Sequence, residues 1–330
     1  MLRRLLNRLG NKLERIIIVL KAYFIIVPYN LFYKQIMNIT LKFRIKNHHY
    51  IHNYLSINTK EDRKLEIEDE DFMLEEVVFA CYFINQRNPQ SGELLNKADY
   101  NFISPWYESI LKLGINGIII HDGLDLDFIK KHETKNIKFR KFISGNNNVL
   151  DERWLFYYHF ILKTNVKRAF CTDISDVFIT KNPFLEFKKK NVLYIGRDNG
   201  NKIRHSGWMN NELVDFFQLL HKKPPKSLKH QAFYNVGVVG GERELLLFTL
   251  SKFCKYFLKA NNSRYHEMTI FNLIINRSFP THLTFSLTEP KEINPKFDKS
   301  AVGKHVFSGF PLNSKFKGFE MDSTAYFIHK

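Results

Sequence analysis

Cysteine is scarce in this chain: Cys81, Cys171 and Cys254 are the only three in 330 residues. An odd number at long spacings excludes a disulfide framework and any CxxC or zinc-knuckle site. Cys81 and Cys171 lie inside apolar runs and read as small buried hydrophobes. Several nucleotide and hydrolase signatures are missing too. No GxGxxG, no P-loop and no Ser-His-Asp order occurs, and there is no internal repeat or low-complexity tract. Acidic residues are nearly absent from the first 60 positions, where Glu14 stands against eleven Lys/Arg. An uninterrupted apolar run of spanning length is also lacking. Ile16 to Phe32 is broken by Lys21 and Pro28, and a central Lys costs roughly 2.5–3.5 kcal/mol in a span of ~20 residues.

What is present is ample core material. Hydrophobic residues make up 44% and aromatics 15%, with 31 Phe, which excludes a globally disordered chain. The net charge is +17, of which residues 1–60 carry +10, leaving +7 for the remainder. A balance of this sign implies an anionic partner: a nucleic acid, a membrane surface or a phosphorylated substrate. Because most of the excess precedes residue 61, it argues against nucleic acid as the partner of the folded part. Arg3, Arg4, Arg8, Lys12 and Arg15 flank the apolar run. Residues 1–60 therefore read as a basic N-terminal segment, either a helix on an anionic membrane surface, a marginal span or a soluble helix. No small-residue cleavage site follows it. The implied location is membrane-associated, on the cytoplasmic side in a bacterium or in the Golgi lumen in a eukaryote. Residues 61–75 reverse the charge and read as an acidic linker, and 76–330 as the catalytic domain.

From Glu76 on, strands and helices alternate. Glu76–Ile84, Gly117–His121, Ile137–Ile143 and Arg168–Thr172 are short β-rich apolar runs. Helices are expected at Asp99–Leu113, near Asp125–His132 and at Leu150–Lys163, with Gly114 ending the first. The second half predicts strands at Val192–Ile195 and Val236–Val239. Helices are expected there at Glu212–Leu220, Glu242–Leu258 and Glu267–Ile275. Such alternation is the mark of an α/β fold with a parallel sheet covered on both faces. Ligands of these sheets bind beyond the carboxyl ends of the strands.

The sharpest segment is Arg168 to Phe184, RAFCTDISDVFITKNPF. A buried strand delivers two carboxylates, Asp173 and Asp176, to its carboxyl end. Two neighbouring carboxylates repel each other and are best tolerated around a divalent cation or beside a base. Hard oxygen ligands suit Mg²⁺ or Mn²⁺, which also bind diphosphate oxygens. On spacing alone a simple Asp/Ser turn is an equal alternative.

The segment TDISDVFITKNPF resembles the DxD-type segment of nucleotide-sugar-dependent glycosyltransferases of the GT-A fold. In that family a strand ends in acids, re-enters the sheet and is followed by an Asn/Asp-Pro-Phe turn. The resemblance covers roughly residues 76 to 316 and implies a Rossmann-type mixed sheet with helices on both faces. It departs from the family in one place: Ile174 occupies the position of the middle acid, so the spacing is DxxD. Asp176 aligns best with the family's metal-binding acid and Asp173 second. Val77 to Gly92 looks like the opening strand and nucleotide loop, which would bring Ala80, Cys81 and Tyr82 to the base and ribose. The segment from Tyr234 to Gly241, YNVGVVGG, is similar to the N-x-G strand lining the sugars, which assigns Asn235 and Gly237 to the site. His305 to Asn313, HVFSGFPLN, resembles a late His loop. By that resemblance His305 is a third metal ligand and Gly309 offers a backbone amide to phosphate. Asp151 and Arg153 open a helix that in the family packs near the nucleotide. Glu267, which opens the helix HEMTIFN, would orient the acceptor or assist as a nucleophile. For Asp151 and Glu267 a helix-terminus charge remains the plain alternative. Arg197 and Asp198 follow a strand and could face the cleft.

The resemblance thus implies a hexosyltransferase. It would move a sugar from a nucleoside-diphosphate donor, a UDP-sugar, to a glycan or glycolipid acceptor, with Mn²⁺ or Mg²⁺ and retention of configuration. A glycosidase could also use paired acids, but it leaves the Asn-Pro-Phe turn and the His loop unexplained. A non-catalytic glycan- or nucleotide-binding module and a basic nucleic-acid binder are the competing classes.

Overall fold

The computed structural model describes residues 65–87, 92, 94–95, 97–143, 149–187, 193–203, 207–225, 228, 230, 232–260, 266–278 and 326–329. The basic segment 1–60 with its membrane reading, and both His305 and Gly309, lie outside the described residues. No helix among the described residues is long and apolar enough to cross a membrane.

The order is β1 (Glu76–Tyr82), α1 (Tyr100–Leu113), β2 (Gly117–His121), α2 (Leu126–His132), β3 (Ile137–Lys141), α3 (Val149–Lys163), β4 (Arg168–Thr172), β5 (Val177–Ile179), α4 (Pro183–Glu186), β6 (Leu193–Lys202), α5 (Gly207–Leu219), β7 (Ala232–Glu242), α6 (Arg243–Ala260), α7 (Glu267–Ser278) and β8 (Phe327–His329). Six strands form one sheet in the order β3-β2-β1-β4-β7-β6. The first four are mutually parallel, and β7 runs antiparallel to both β4 and β6. The sheet is therefore mixed, not wholly parallel.

Alternation along β1 sends its side chains to two helical layers. Val78, Ala80 and Tyr82 join Trp106 and Ile110 of α1 in one buried cluster. Phe79 meets Tyr157 and Phe160 of α3 on the other face, with ring centroids 5.5 and 5.1 Å apart. Trp154 of α3 then packs on Phe253 of α6 at 4.9 Å.

Local chemistry sets the ends of α1. The Asp99 side chain accepts from the Asn101 amide, and Gly114 closes the helix with a φ of 61°. Pro105 inside α1 cannot donate to the carbonyl of Asn101, and the Ser104 hydroxyl donates there instead at 3.2 Å.

Three expectations are corrected. The acids before β1 are no free linker in their described part. Asp71 is fully buried and accepts from Arg140 of β3 at 2.7 and 2.8 Å, while Glu70 pairs with the same guanidinium at 2.7 Å. A buried Arg needs such carboxylates to offset its desolvation. Second, β5 does not re-enter the six-stranded sheet but pairs with β8 in a separate two-stranded ribbon. Third, β6 extends to Lys202, β7 begins at Ala232 and α5 begins at Gly207, all beyond the expected bounds. The expected strand ends at Ile195; the ladder with β7 continues past it at Gly196, Arg197 and Lys202, across register shifts after Ile195 and Arg197.

Candidate metal and substrate site

The carboxyl ends of the parallel strands share one edge of the sheet. At β1 and β2 that edge is tied shut. Asp122 accepts from the amides of Ile84 and Asn85 at 2.8 and 3.0 Å, and Asn85 donates back to the Asp122 carbonyl at 3.1 Å. The chemistry gathers at β4.

Asp173 follows Thr172 directly, and its amide donates to the Gly237 carbonyl of β7 at 2.9 Å. The chain then bends through 174–176, and Ile174 is 5% exposed as a plug in the core. This bend accounts for the DxxD spacing: the middle side chain goes inward and the two acids face one point. His329, the last described residue of β8, stands opposite Val177 and so beside Asp176. Its Nε2 lies 3.3 Å from Asp173 Oδ2 and 3.3 Å from Asp176 Oδ2. Asp173, Asp176 and His329 offer ligand atoms that all lie within 4.8 Å of one another. Asp176 Oδ1 is buried without a hydrogen-bond partner among the described residues. Two carboxylates, one imidazole and an orphaned buried oxygen form a donor set that fits a divalent cation.

Gly237 makes the cluster possible. A Cβ there would overlap His329 Cε1 and come within 2.7 Å of Asp173 Oδ2. The side chain of Asn235 is engaged next to it, Oδ1 accepting from the Gly237 amide at 2.6 Å. Asn272 of α7 pins the strand by bonding both the amide and the carbonyl of Tyr234, at 2.8 and 2.9 Å.

Behind the acids lies a buried polar relay. Arg153 pairs with Asp173 through Nη1 and donates from Nε to Glu267 Oε1 at 2.7 Å. Trp154 Nε1 donates to the same oxygen at 2.7 Å. Glu267, 1% exposed, opens α7. Burial, together with the nearby Asp173 charge, lifts its carboxyl to about 7 despite Arg153. Burial works against the charge of Asp173 as well, yet the Arg153 guanidinium and His329 hold it well below the usual carboxylate range. Burial would lower His329, but Asp176 and Asp173 raise it to about 10. Asp151, in the first turn of α3, is raised by burial and by the charges of Glu267 and Glu212. Its Oδ1 is buried with no hydrogen-bond partner among the described residues.

The structure thus brings together Asp173, Asp176, Gly237, Asn235, Arg153, Asp151 and Glu267. Cys81 lies on the same side, its thiol donating to the Tyr157 hydroxyl at 3.2 Å, with burial pushing it up to about 12. Ala80 and Tyr82 are not brought in. Both are fully buried on the α1 face, and the Tyr82 hydroxyl accepts from the Asp99 amide at 2.7 Å. Their side chains pack in the cluster with α1 rather than among the acids. Arg197 and Asp198 lie in β6, Arg197 opposite Tyr234. His329 and Trp154 were not anticipated. Nothing in YFIHK marks its histidine, because the pairing of β8 with β5 is what brings it to the acids.

No family model matches the chain, and no curated protein matches it. Among solved structures it is similar to the galactosyltransferase LgtC in complex with donor and acceptor sugar analogues, at 12% identity over 60% of this chain and 69% of that one, with a TM-score of 0.33. It is also similar to an active-site mutant of LgtC, at 10% identity over 77% of this chain and 86% of that one, with a TM-score of 0.41.

Proposed function

We propose that this chain is a metal-dependent glycosyltransferase that moves a hexose from a UDP-sugar to a hydroxyl of a glycan or glycolipid acceptor, with retention of configuration. One observation carries the reading: Asp173, Asp176 and His329 converge at the carboxyl end of β4, where ligands of such sheets bind. These three residues would hold Mn²⁺ or Mg²⁺. When bound, the cation supplies positive charge against a diphosphate leaving group.

The remaining work belongs to the chain's own side chains. Arg153 holds Asp173 ionised and so keeps it ready as a ligand. The same guanidinium, with Trp154, fixes Glu267 through one oxygen, Oε1. Glu267 would present its other oxygen to the reacting sugar or the acceptor hydroxyl, orienting it or assisting as nucleophile. Asp151, buried with an unbonded oxygen, is suited to accept from a sugar hydroxyl. Gly237 keeps β7 close enough for these groups to meet. The basic segment 1–60 would bring the domain to an anionic membrane surface, where a glycolipid acceptor resides.

Calorimetric titration with UDP and with GDP, each with and without Mn²⁺, tests the reading on wild type, Asp176→Asn and His329→Ala. The expected result is UDP binding that requires Mn²⁺ and is lost in both variants. Binding of neither nucleotide under any condition would overturn it.

A further inference from the structure

Glu267 is the first residue of α7, so whatever fixes that end of the helix also fixes its carboxylate. The leading amides of an α-helix have no partners within the helix. In α7 the first bond of the helix runs from the Ile270 amide to the His266 carbonyl at 2.9 Å. The amide just before it, that of Thr269, is taken by another helix. It donates to Oε1 of Glu212 in α5 at 3.2 Å. Such an amide is usually met by the side chain of the residue preceding the helix. Here that residue is His266, and a carboxylate 57 positions from Thr269 meets the amide. A second contact holds the two helices together. Phe216, one turn beyond Glu212, meets the His266 ring with centroids 5.5 Å apart.

Glu212 and Glu267 therefore bracket the first turn of one helix. Asp151 of α3 lies close enough to both for their charges to raise it. The one guanidinium bonded to Glu267 is that of Arg153, and it also serves Asp173 at the end of β4. Trp154 of α3 adds a neutral donor to Glu267, the Cys81 thiol of β1 lies within reach of the Glu267 charge, and Asp215 stands beside Glu212 on α5. Three acids around one shared cation hold protons in common, because ionising one makes the next harder to ionise. Burial, with the charges of Glu267 and Asp215, lifts Glu212 to about 7 against its Thr269 contact.

We propose that Glu212 is a positioning residue for Glu267, capping α7 from a neighbouring helix and controlling the ionisation of the Glu267 carboxyl through its own charge; this rests on the role given to Glu267 in the glycosyltransferase reading above. With Glu212 ionised, Glu267 keeps its proton to higher pH. With Glu212 neutral, Glu267 ionises earlier. A carboxylate that assists a reacting hydroxyl or attacks as a nucleophile does so in its ionised form. Glu212 therefore sets the pH range over which Glu267 works.

The test compares Glu212→Gln, which keeps an oxygen for the Thr269 amide and removes the charge, with Glu212→Ala, which removes both. The full chain, labelled with ¹³C at its glutamate carboxyl carbons, is titrated by NMR from about pH 5 to about pH 9 without nucleotide or metal. The Glu267 resonance is identified by its loss in Glu267→Gln. In Glu212→Gln it is expected to titrate about half a pH unit or more lower than in the wild type. Coupling is reciprocal, so Glu267→Gln is expected to lower the Glu212 midpoint by the same amount. Hydrogen exchange at the Thr269 amide is expected to quicken about tenfold or more in Glu212→Ala and to change little in Glu212→Gln. With a UDP-sugar and Mn²⁺, the acidic limb of the kcat profile in Glu212→Gln is expected to move to lower pH with the Glu267 resonance. The proposal is overturned if the Glu267 midpoint is unchanged or raised in Glu212→Gln, if the Thr269 amide is equally protected in Glu212→Ala, or if the acidic limb stays in place while the resonance moves. Absence of Mn²⁺-dependent UDP binding in the wild type is the separate failure of the glycosyltransferase reading.

Discussion

Arg153 joins Asp173 to Glu267: its Nη1 pairs with the first carboxylate, and its Nε lies 2.7 Å from Oε1 of the second. One buried guanidinium therefore sits between the metal cluster and the carboxylate that opens α7. Removing it leaves the buried Glu267 and the partly buried Asp173 without the cation between them. Arg153→Met is expected to destabilise the fold by about 3–5 kcal/mol. Glu267→Gln keeps an acceptor for Arg153 and Trp154 and is expected to cost about 1–2 kcal/mol. Urea midpoints of the two variants check the ordering, and equal losses would show that Arg153 is held by something other than this pair.

Gly237 and Gly240 are both crowded, by different neighbours. A Cβ at Gly237 meets His329 and Asp173, whereas one at Gly240 would overlap the Phe170 ring. Gly240→Ala is thus a core overpacking change, expected to cost about 1–3 kcal/mol without altering metal affinity once folded. Gly237→Ala is expected to push His329 off the acids and weaken Mn²⁺ binding at least tenfold. Paramagnetic titration of free Mn²⁺ in parallel with thermal melts separates the two effects.

The acids of the site were legible in the sequence because RAFCT is a buried strand and Asp173 directly follows it. The bend that turns Ile174 inward explains a spacing that spacing alone left ambiguous. Arg153 and Glu267 were each legible as residues opening a helix. Their contact was not, because it joins positions 114 residues apart, on two helices that each pack on α6. Tyr82 lies apart from the acids for a plain reason: alternation on β1 sends it to the α1 face, where its hydroxyl binds Asp99. His329 carries no local signal, since only the pairing of a three-residue strand with β5 delivers it. The extension of β6 past Ile195 has no local signal either, since its pairing with β7 at Gly196, Arg197 and Lys202 is a long-range contact.

Arg140 secures the acidic stretch to the domain. Its guanidinium meets Asp71, Glu70, Glu68 and Glu133, and Asp71 is wholly buried. Arg140→Leu strands the Asp71 carboxylate and is expected to release residues 65–75. Limited proteolysis should then cut within that stretch while the rest of the domain resists. The double variant Arg140→Leu with Asp71→Leu removes both buried charges and is expected to recover most of the lost stability. Failure to recover would mean that Glu70 and Glu68, not Asp71, hold the contact.

His121, at the end of β2, couples stability to pH. It is 3% exposed, and its Nδ1 accepts from the Leu124 amide at 3.0 Å. Burial, with Lys141 adding a like charge, lowers it from 6.5 to about 4. The folded chain therefore refuses a proton that the unfolded chain accepts between those values. Stability is fully present above about pH 6.5 and falls as pH drops toward 4, with roughly 2–3 kcal/mol lost by pH 4.5. His121→Asn retains an acceptor for the Leu124 amide and removes the titration. Urea unfolding at pH 7 and pH 4.5 should show the wild type losing roughly 2–3 kcal/mol more than the variant. Equal losses would mean that His121 takes up its proton without unfolding, through an opening of the turn at Gly123 and Leu124.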